Sequence, residues 1–67
     1  MKISARNQFE GKVISIEEGQ VNAKVVVETA GQTLTSIISM EALRDLELKE
    51  GSSVTAVIKA SSVLLMA

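Results

Sequence analysis

The chain lacks cysteine, histidine and proline among its 67 residues, and Phe9 is its only aromatic residue. The absence of cysteine excludes disulfides and thiolate metal sites. The absence of histidine removes the commonest metal ligand and the commonest general base at neutral pH. A domain this short buries only about 60% of the surface that its unfolded chain exposes. Since disulfides are excluded and metal ligands are scarce, oligomerisation is the stabilising device that remains.

The composition also favours oligomerisation. Hydrophobic residues make up 46% of the chain, a large apolar content for so small a domain, so we expect part of it to be buried between subunits of a homo-oligomer. The formal net charge of −1 provides no electrostatic footprint for nucleic acid or an anionic membrane. No apolar run approaches the roughly 20 residues of a transmembrane helix, and the start lacks the apolar segment of a signal peptide. These features predict a soluble, cytoplasmic protein.

Short β-branched and apolar segments, separated by the glycines at 11, 19, 31 and 51, predict strands. The clearest alternation places Val21, Ala23, Val25 and Val27 on one face of a strand, because side chains alternate along a strand with a period of two. The predicted strands are Ile3 to Gln8, Lys12 to Glu17, Val21 to Thr29, Thr33 to Ile38, Val54 to Lys59 and Ser62 to Met66.

One segment is helical in character. Ser39 is a typical N-cap residue, and Met40, Leu43 and Leu46 recur at a spacing of three, which puts them on one helical face. A short helix before the last long strand is the signature of a small all-β barrel of the oligonucleotide/oligosaccharide-binding (OB) type, with five strands in a Greek-key arrangement. A simple open meander is the alternative topology.

Catalytic constellations are absent from the sequence. It has no Ser-His-Asp or Cys-His set, no glycine-rich phosphate loop and no metal-ligand cluster. Its eight acidic residues fall mostly in turns and on the helix, where such side chains are normally solvated. We therefore expect neither an enzyme nor direct metal ligation.

Two polar clusters remain, Ser4-Ala5-Arg6-Asn7 and Lys59-Ala60-Ser61-Ser62. Each alone is explained as an exposed strand edge or a polar bend. Together they offer guanidinium, ammonium, hydroxyl and backbone donors, and neither contains an acidic residue. A tetrahedral oxyanion accepts hydrogen bonds only, so it needs such converging donors and compensating positive charge. The clusters meet only if the fold or a neighbouring subunit brings them together.

The whole chain resembles the molbindins, small molybdate-binding proteins of the Mop type. The segments that carry the resemblance occur in the same order and spacing: Ile3-Ser4-Ala5-Arg6-Asn7-Gln8, Gly11-Lys12-Val13, Val21-Asn22-Ala23, Thr35-Ser36-Ile37-Ile38, Leu48-Lys49-Glu50-Gly51 and Ala56-Val57-Ile58-Lys59-Ala60-Ser61-Ser62-Val63. The resemblance predicts a single Mop/TOBE-like domain over residues 1–67. Phe9 and the last residues, 64–67, depart from the usual pattern without touching the expected ligands.

The resemblance implies an OB-type barrel, a homohexamer built as a trimer of dimers, and storage or homeostasis of molybdate or tungstate in the cytoplasm. It implies cationic ligands at Arg6 and Lys59, with oxyanion sites at subunit interfaces where Lys59 and Ser61 come from a neighbouring subunit. The full set of expected binding residues is Ser4, Ala5, Arg6, Asn7, Thr35, Ser36, Lys59, Ala60, Ser61 and Ser62.

Two other functions stay open at this point. OB-type barrels often bind single-stranded nucleic acid, although one aromatic residue and a net charge of −1 argue against stacking platforms and a basic groove. The second alternative is a purely structural oligomerisation domain, in which Arg6 and Lys59 pair with glutamates such as Glu10 or Glu28 across an interface.

Overall fold

The computed structural model describes residues 6–67, so the predicted site residues Ser4 and Ala5 lie outside the described part. It contains one antiparallel sheet of four strands, one short α-helix and one 3₁₀ turn. The elements are β1 (Asn7–Glu18), β2 (Asn22–Thr29), β3 (Gln32–Ser39), α1 (Met40–Asp45), β4 (Ser53–Ile58) and the 3₁₀ turn Ala60–Ser62.

The sheet has the strand order β3-β2-β1-β4. Two hairpins join β1, β2 and β3, and β4 then returns to pair with the free edge of β1. Three consecutive strands with a fourth beside the first form a Greek key. The predicted Greek-key connection is therefore present, and the open meander is wrong.

The predicted final strand, Ser62 to Met66, is also wrong. The chain makes a 3₁₀ turn after β4 and then runs on without regular structure to its end. Leu64, Leu65 and Met66 are 92%, 94% and 98% exposed. An apolar strand forms only beside a partner strand, and the tail has none within residues 6–67. The described chain thus holds four strands of the expected five.

β1 is longer than the sequence predicts, because Gly11 lies inside the strand instead of ending it. The segments predicted as Ile3 to Gln8 and Lys12 to Glu17 join into one strand over their described residues. A Cβ atom at position 11 would collide with the carbonyl oxygen of Glu28, so this glycine permits close approach of β2. An irregularity in the ladder between Val13 and Ser15 marks a bulge, a feature that bends a strand.

The core lies on one face of the curved sheet, beneath α1. Its buried members are Val13, Ala23, Val25, Val27, Met40 and Leu43. Three of the four predicted core positions of β2 are confirmed, but Val21 is 74% exposed. Val21 precedes β2, and its carbonyl accepts a hydrogen bond from the N–H of Met40, so it serves as a backbone anchor for the helix.

The predicted helix is confirmed over Met40–Asp45, with Ser39 as its N-cap. The Ser39 hydroxyl accepts a hydrogen bond from the Ala42 N–H at 3.0 Å, which satisfies one orphan donor of the first turn. Leu46 is the C-cap and is 63% exposed, so Leu48 packs on the core in its place. No helix within residues 6–67 has the length and apolar character needed to span a membrane.

Candidate functional site

The two polar clusters meet at one end of the β1–β4 ladder. Asn7 pairs with Ile58 at the end of that ladder. Arg6 directly precedes Asn7, and Lys59 directly follows Ile58, so both cationic residues lie at the same end of the same strand pair. The sequence predicted that Lys59 reaches Arg6 from a neighbouring subunit. Within the single chain the register already puts Arg6 and Lys59 at the same end of the β1–β4 ladder.

A tight turn carries the second cluster away from the sheet. Lys59 has extended backbone angles of φ −65° and ψ 139° and caps the 3₁₀ turn Ala60–Ser62. The N–H of Ser62 donates to the Lys59 carbonyl at 2.8 Å, and the N–H of Val63 donates to the Ala60 carbonyl at 3.3 Å. These bonds hold Ser61 at the tip of the turn. Lys59, Ala60, Ser61 and Ser62 are all exposed, as a binding surface requires.

Acidic residues are scarce along the strands next to the corner formed by Arg6 and the Lys59–Ser62 turn. Glu10 is the nearest acidic residue along the paired strands, and it faces Thr55 three pairs away from Asn7. The single ion pair found in the described part of the chain joins Lys24 Nζ to Glu17 Oε2 at 3.2 Å. Residues 6–67 contain no group of acidic side chains arranged to hold a metal ion. Arg6 and Lys59 therefore form a corner suited to an anion.

Asn7 is engaged with the protein itself. Its side-chain Nδ2 donates to the carbonyl oxygen of Ile58 at 3.3 Å, and the side chain is partly buried. The Asn7 amide thus donates a hydrogen bond within the sheet, whereas Arg6 and Lys59 are exposed. The sequence predicts Asn7 among the oxyanion-binding residues, and in the structure one of its two amide N–H groups is engaged by Ile58.

Thr35 and Ser36 lie on a strand that pairs with neither β1 nor β4. They belong to β3, the strand at the opposite side of the sheet from β4. Ser36 pairs with the buried Val25, and Thr35 pairs with Val26, so successive side chains point to opposite faces.

Both residues contribute to the lining of a cleft of about 530 Å³ between β3 and β4. The sheet curls until its two outer strands face each other across this space, with Ile58 at its wall. The apolar wall residues include Val25, Val27, Leu34, Ile38, Val54 and Ile58. Sequence reasoning missed the cleft because it arises from sheet curvature, which the alternation of residues along single strands does not encode.

The TOBE domain model matches residues 3–65. "Molybdenum-pterin-binding protein 3" of Clostridium pasteurianum is 52% identical, with 100% of each chain covered. The solved molybdate-binding protein from Sporomusa ovata is 39% identical with a TM-score of 0.96, and the alignment covers 100% of both chains.

A third similar protein is ModG, whose structure was solved with molybdate bound. It is 46% identical with a TM-score of 0.91, and the match covers 96% of this chain and 46% of ModG. The similarity thus extends over nearly the whole chain both in sequence and in fold. The chain belongs to the TOBE domain family, among its small Mop-type members.

Proposed function

We propose that this protein binds a tetrahedral oxyanion, molybdate or tungstate, at the corner formed by Arg6 and the Lys59–Ser62 turn, without catalysing a reaction. The observation that carries the proposal is the Asn7–Ile58 pair, which puts Arg6 and Lys59 at the same end of the β1–β4 ladder. The molybdate-binding proteins described above, similar over nearly the whole chain, support the same ligand.

The chemistry of the corner fits such a ligand. Arg6 offers up to five N–H donors and Lys59 three, and charge-assisted bonds to an oxyanion are the strong ones. Ser61 and Ser62 add hydroxyl donors, and Ala60 leaves the backbone accessible. Ser4 and Ala5, which precede Arg6 in the sequence, complete the proposed set, while Thr35 or Ser36 supplies a further hydroxyl through a neighbouring subunit.

Selectivity follows from size and protonation. Sulfate has the same charge as molybdate but is smaller, so a cage built to the larger ion holds it loosely. Hydrogen phosphate carries a proton, and a cage of donors gives that proton no acceptor, which costs roughly 1–3 kcal/mol. Molybdate and tungstate are nearly equal in size and charge, so this site accepts both.

The functional unit in this proposal is a homo-oligomer, a hexamer built as a trimer of dimers. Two features of the chain support association. The cleft between β3 and β4 is apolar and open, and the apolar side chains of Leu64, Leu65 and Met66 are exposed. An apolar tail from one copy fits an apolar cleft of another, where it would add the fifth strand of an OB-type barrel along the free strand edges.

The cellular role that follows is reversible storage and homeostasis of the oxyanion in the cytoplasm. A net charge of −1 and a single aromatic residue make a nucleic-acid or membrane partner unfavourable. The partners in this proposal are therefore the anion and further copies of the chain.

Isothermal titration with molybdate tests the proposal. Arg6→Ala and Lys59→Ala should each weaken binding at least tenfold, because each removes a charge-assisted donor. Lys24→Ala is the matched control: it also removes one positive charge, but Lys24 is paired with Glu17 near the far end of β1, so affinity should stay unchanged. Absence of molybdate binding by the assembled wild-type protein would sink the proposal. Single-strand binding in a low-salt gel shift would then favour a nucleic-acid module.

A further inference from the structure

We infer that Asn7 is a positioning residue, which clamps the start of β1 to the end of β4 and so holds the anion-binding corner in shape without touching the anion. The inference rests on the proposed oxyanion function and assigns Asn7 a role distinct from that of Arg6. Its basis is the hydrogen bond from Asn7 Nδ2 to the Ile58 carbonyl, 3.3 Å long and bridging residues 51 positions apart.

The location of this bond gives it its effect. The Asn7–Ile58 pair ends the β1–β4 ladder, and ladder ends fray because they lack a further neighbour. A side-chain bond across the last pair opposes fraying at the point where Arg6 and Lys59 leave the sheet. Among the side-chain hydrogen bonds of residues 6–67, only this one and that from Thr29 to the Glu10 carbonyl link separate strands.

The Asn7 side chain is less available to an anion than its cationic neighbours are. One of the two N–H groups of Nδ2 donates to Ile58, so a single N–H is left as a donor, beside an Oδ1 acceptor that repels an oxyanion. The side chain is partly buried, whereas Arg6 and Lys59 are exposed. Asn7 therefore acts on the anion through the placement of its two cationic neighbours, since binding to a preorganised site avoids an ordering cost.

Hydrogen exchange in the turn after β4 reports fraying of the ladder end independently of anion binding. The Ser62 N–H donates to the Lys59 carbonyl, so a frayed ladder end should expose this N–H to solvent. The Met40 N–H donates to the Val21 carbonyl outside this corner, and its exchange reports on the rest of the molecule.

The experiment compares wild type, Asn7→Ala, Asn7→Asp and the control Gln8→Ala by amide hydrogen exchange without ligand and by molybdate titration. Gln8 is the adjacent exposed residue of β1, paired with Val57. Both Asn7 variants should speed exchange of the Ser62 N–H severalfold, with Met40 unchanged. Asn7→Ala should weaken molybdate binding about fivefold, the effect of one net hydrogen bond. Asn7→Asp should weaken it further, because a carboxylate repels the dianion.

Weaker molybdate binding with unchanged exchange at Ser62 would make Asn7 a direct ligand and overturn the inference. Faster exchange at Ser62 with full affinity, equally faster exchange at Met40, or no change in either measurement would overturn it too. If wild type binds no molybdate, the proposed function fails, while the exchange data still decide whether Asn7 clamps this corner.

Discussion

The backbone N–H of Leu48 donates to the carbonyl oxygen of Leu43 at 3.3 Å, and this bond closes the C-terminus of α1. The N–H of Glu47 donates to the Arg44 carbonyl at 3.0 Å. Together the two bonds form a Schellman motif, in which the residue after the C-cap adopts the left-handed conformation. Glu47 occupies that position with φ 53°, although glycine is the residue that adopts it without a steric penalty.

Replacing Glu47 with glycine should therefore stabilise the protein. The left-handed conformation costs a residue with a Cβ about 1–2 kcal/mol, and the greater entropy of unfolded glycine offsets part of the gain. We expect the free energy of unfolding to rise by about 0.5–1 kcal/mol, measured by urea denaturation at fixed protein concentration. Glu50→Gly removes the same charge at a residue whose φ is not positive, and it should be neutral or destabilising. Equal stabilisation by both variants would attribute the effect to charge.

Gly11→Ala should destabilise the protein. The added Cβ would collide with the Glu28 carbonyl oxygen and lie 3.0 Å from Val27 Cγ1, so β2 must move away from β1. Overpacking of this kind costs about 1–3 kcal/mol, which thermal unfolding monitored by circular dichroism would detect. Ser15→Ala, at an exposed position of the same strand, should change stability by less than about 0.5 kcal/mol. An unaltered melting temperature for Gly11→Ala would show that the strands separate at little cost.

Leu65→Asp should shift the protein toward smaller assemblies. Leu65 is 94% exposed in the single chain, and a carboxylate there could not enter the apolar cleft of another copy without losing its hydration. Size-exclusion chromatography with light scattering measures the mass directly. Gln32→Asp adds the same charge at an exposed position beside the β2–β3 turn and should leave the mass unaltered. A wild-type assembly that tolerates Leu65→Asp would remove the tail from the interface.

The parts of the fold that sequence predicts well are those with local signals. Ser39 and the spacing of Met40 and Leu43 encode the helix within a few residues, and the alternation in β2 encodes its buried face. The strand predicted for the tail is wrong because apolar side chains indicate burial but do not identify the surface that buries them. The predicted strand end at Gly11 is wrong because the role of this glycine depends on Glu28, a partner distant in sequence.

The sequence likewise predicts some features of the candidate site and not others. The sequence shows directly that Arg6, Lys59 and Ser61 carry hydrogen-bond donors, which an anion requires. Their proximity depends on the Asn7–Ile58 register, which pairing across 51 positions determines and no local pattern contains. The role that we propose for Asn7, distinct from that of Arg6, depends on one hydrogen bond, which the sequence of the motif does not reveal.

The length of β1 has a consequence for how the molecule comes apart. Lys12 is the residue at which the strand pairs with both neighbours, facing Glu28 on one side and Ser53 on the other. One continuous strand thus belongs to both halves of the sheet, and neither half keeps its core partner if the other separates. We expect a single cooperative unfolding transition, in which the β1–β4 ladder end that carries Arg6 and Lys59 and the β2–β3 hairpin unfold together.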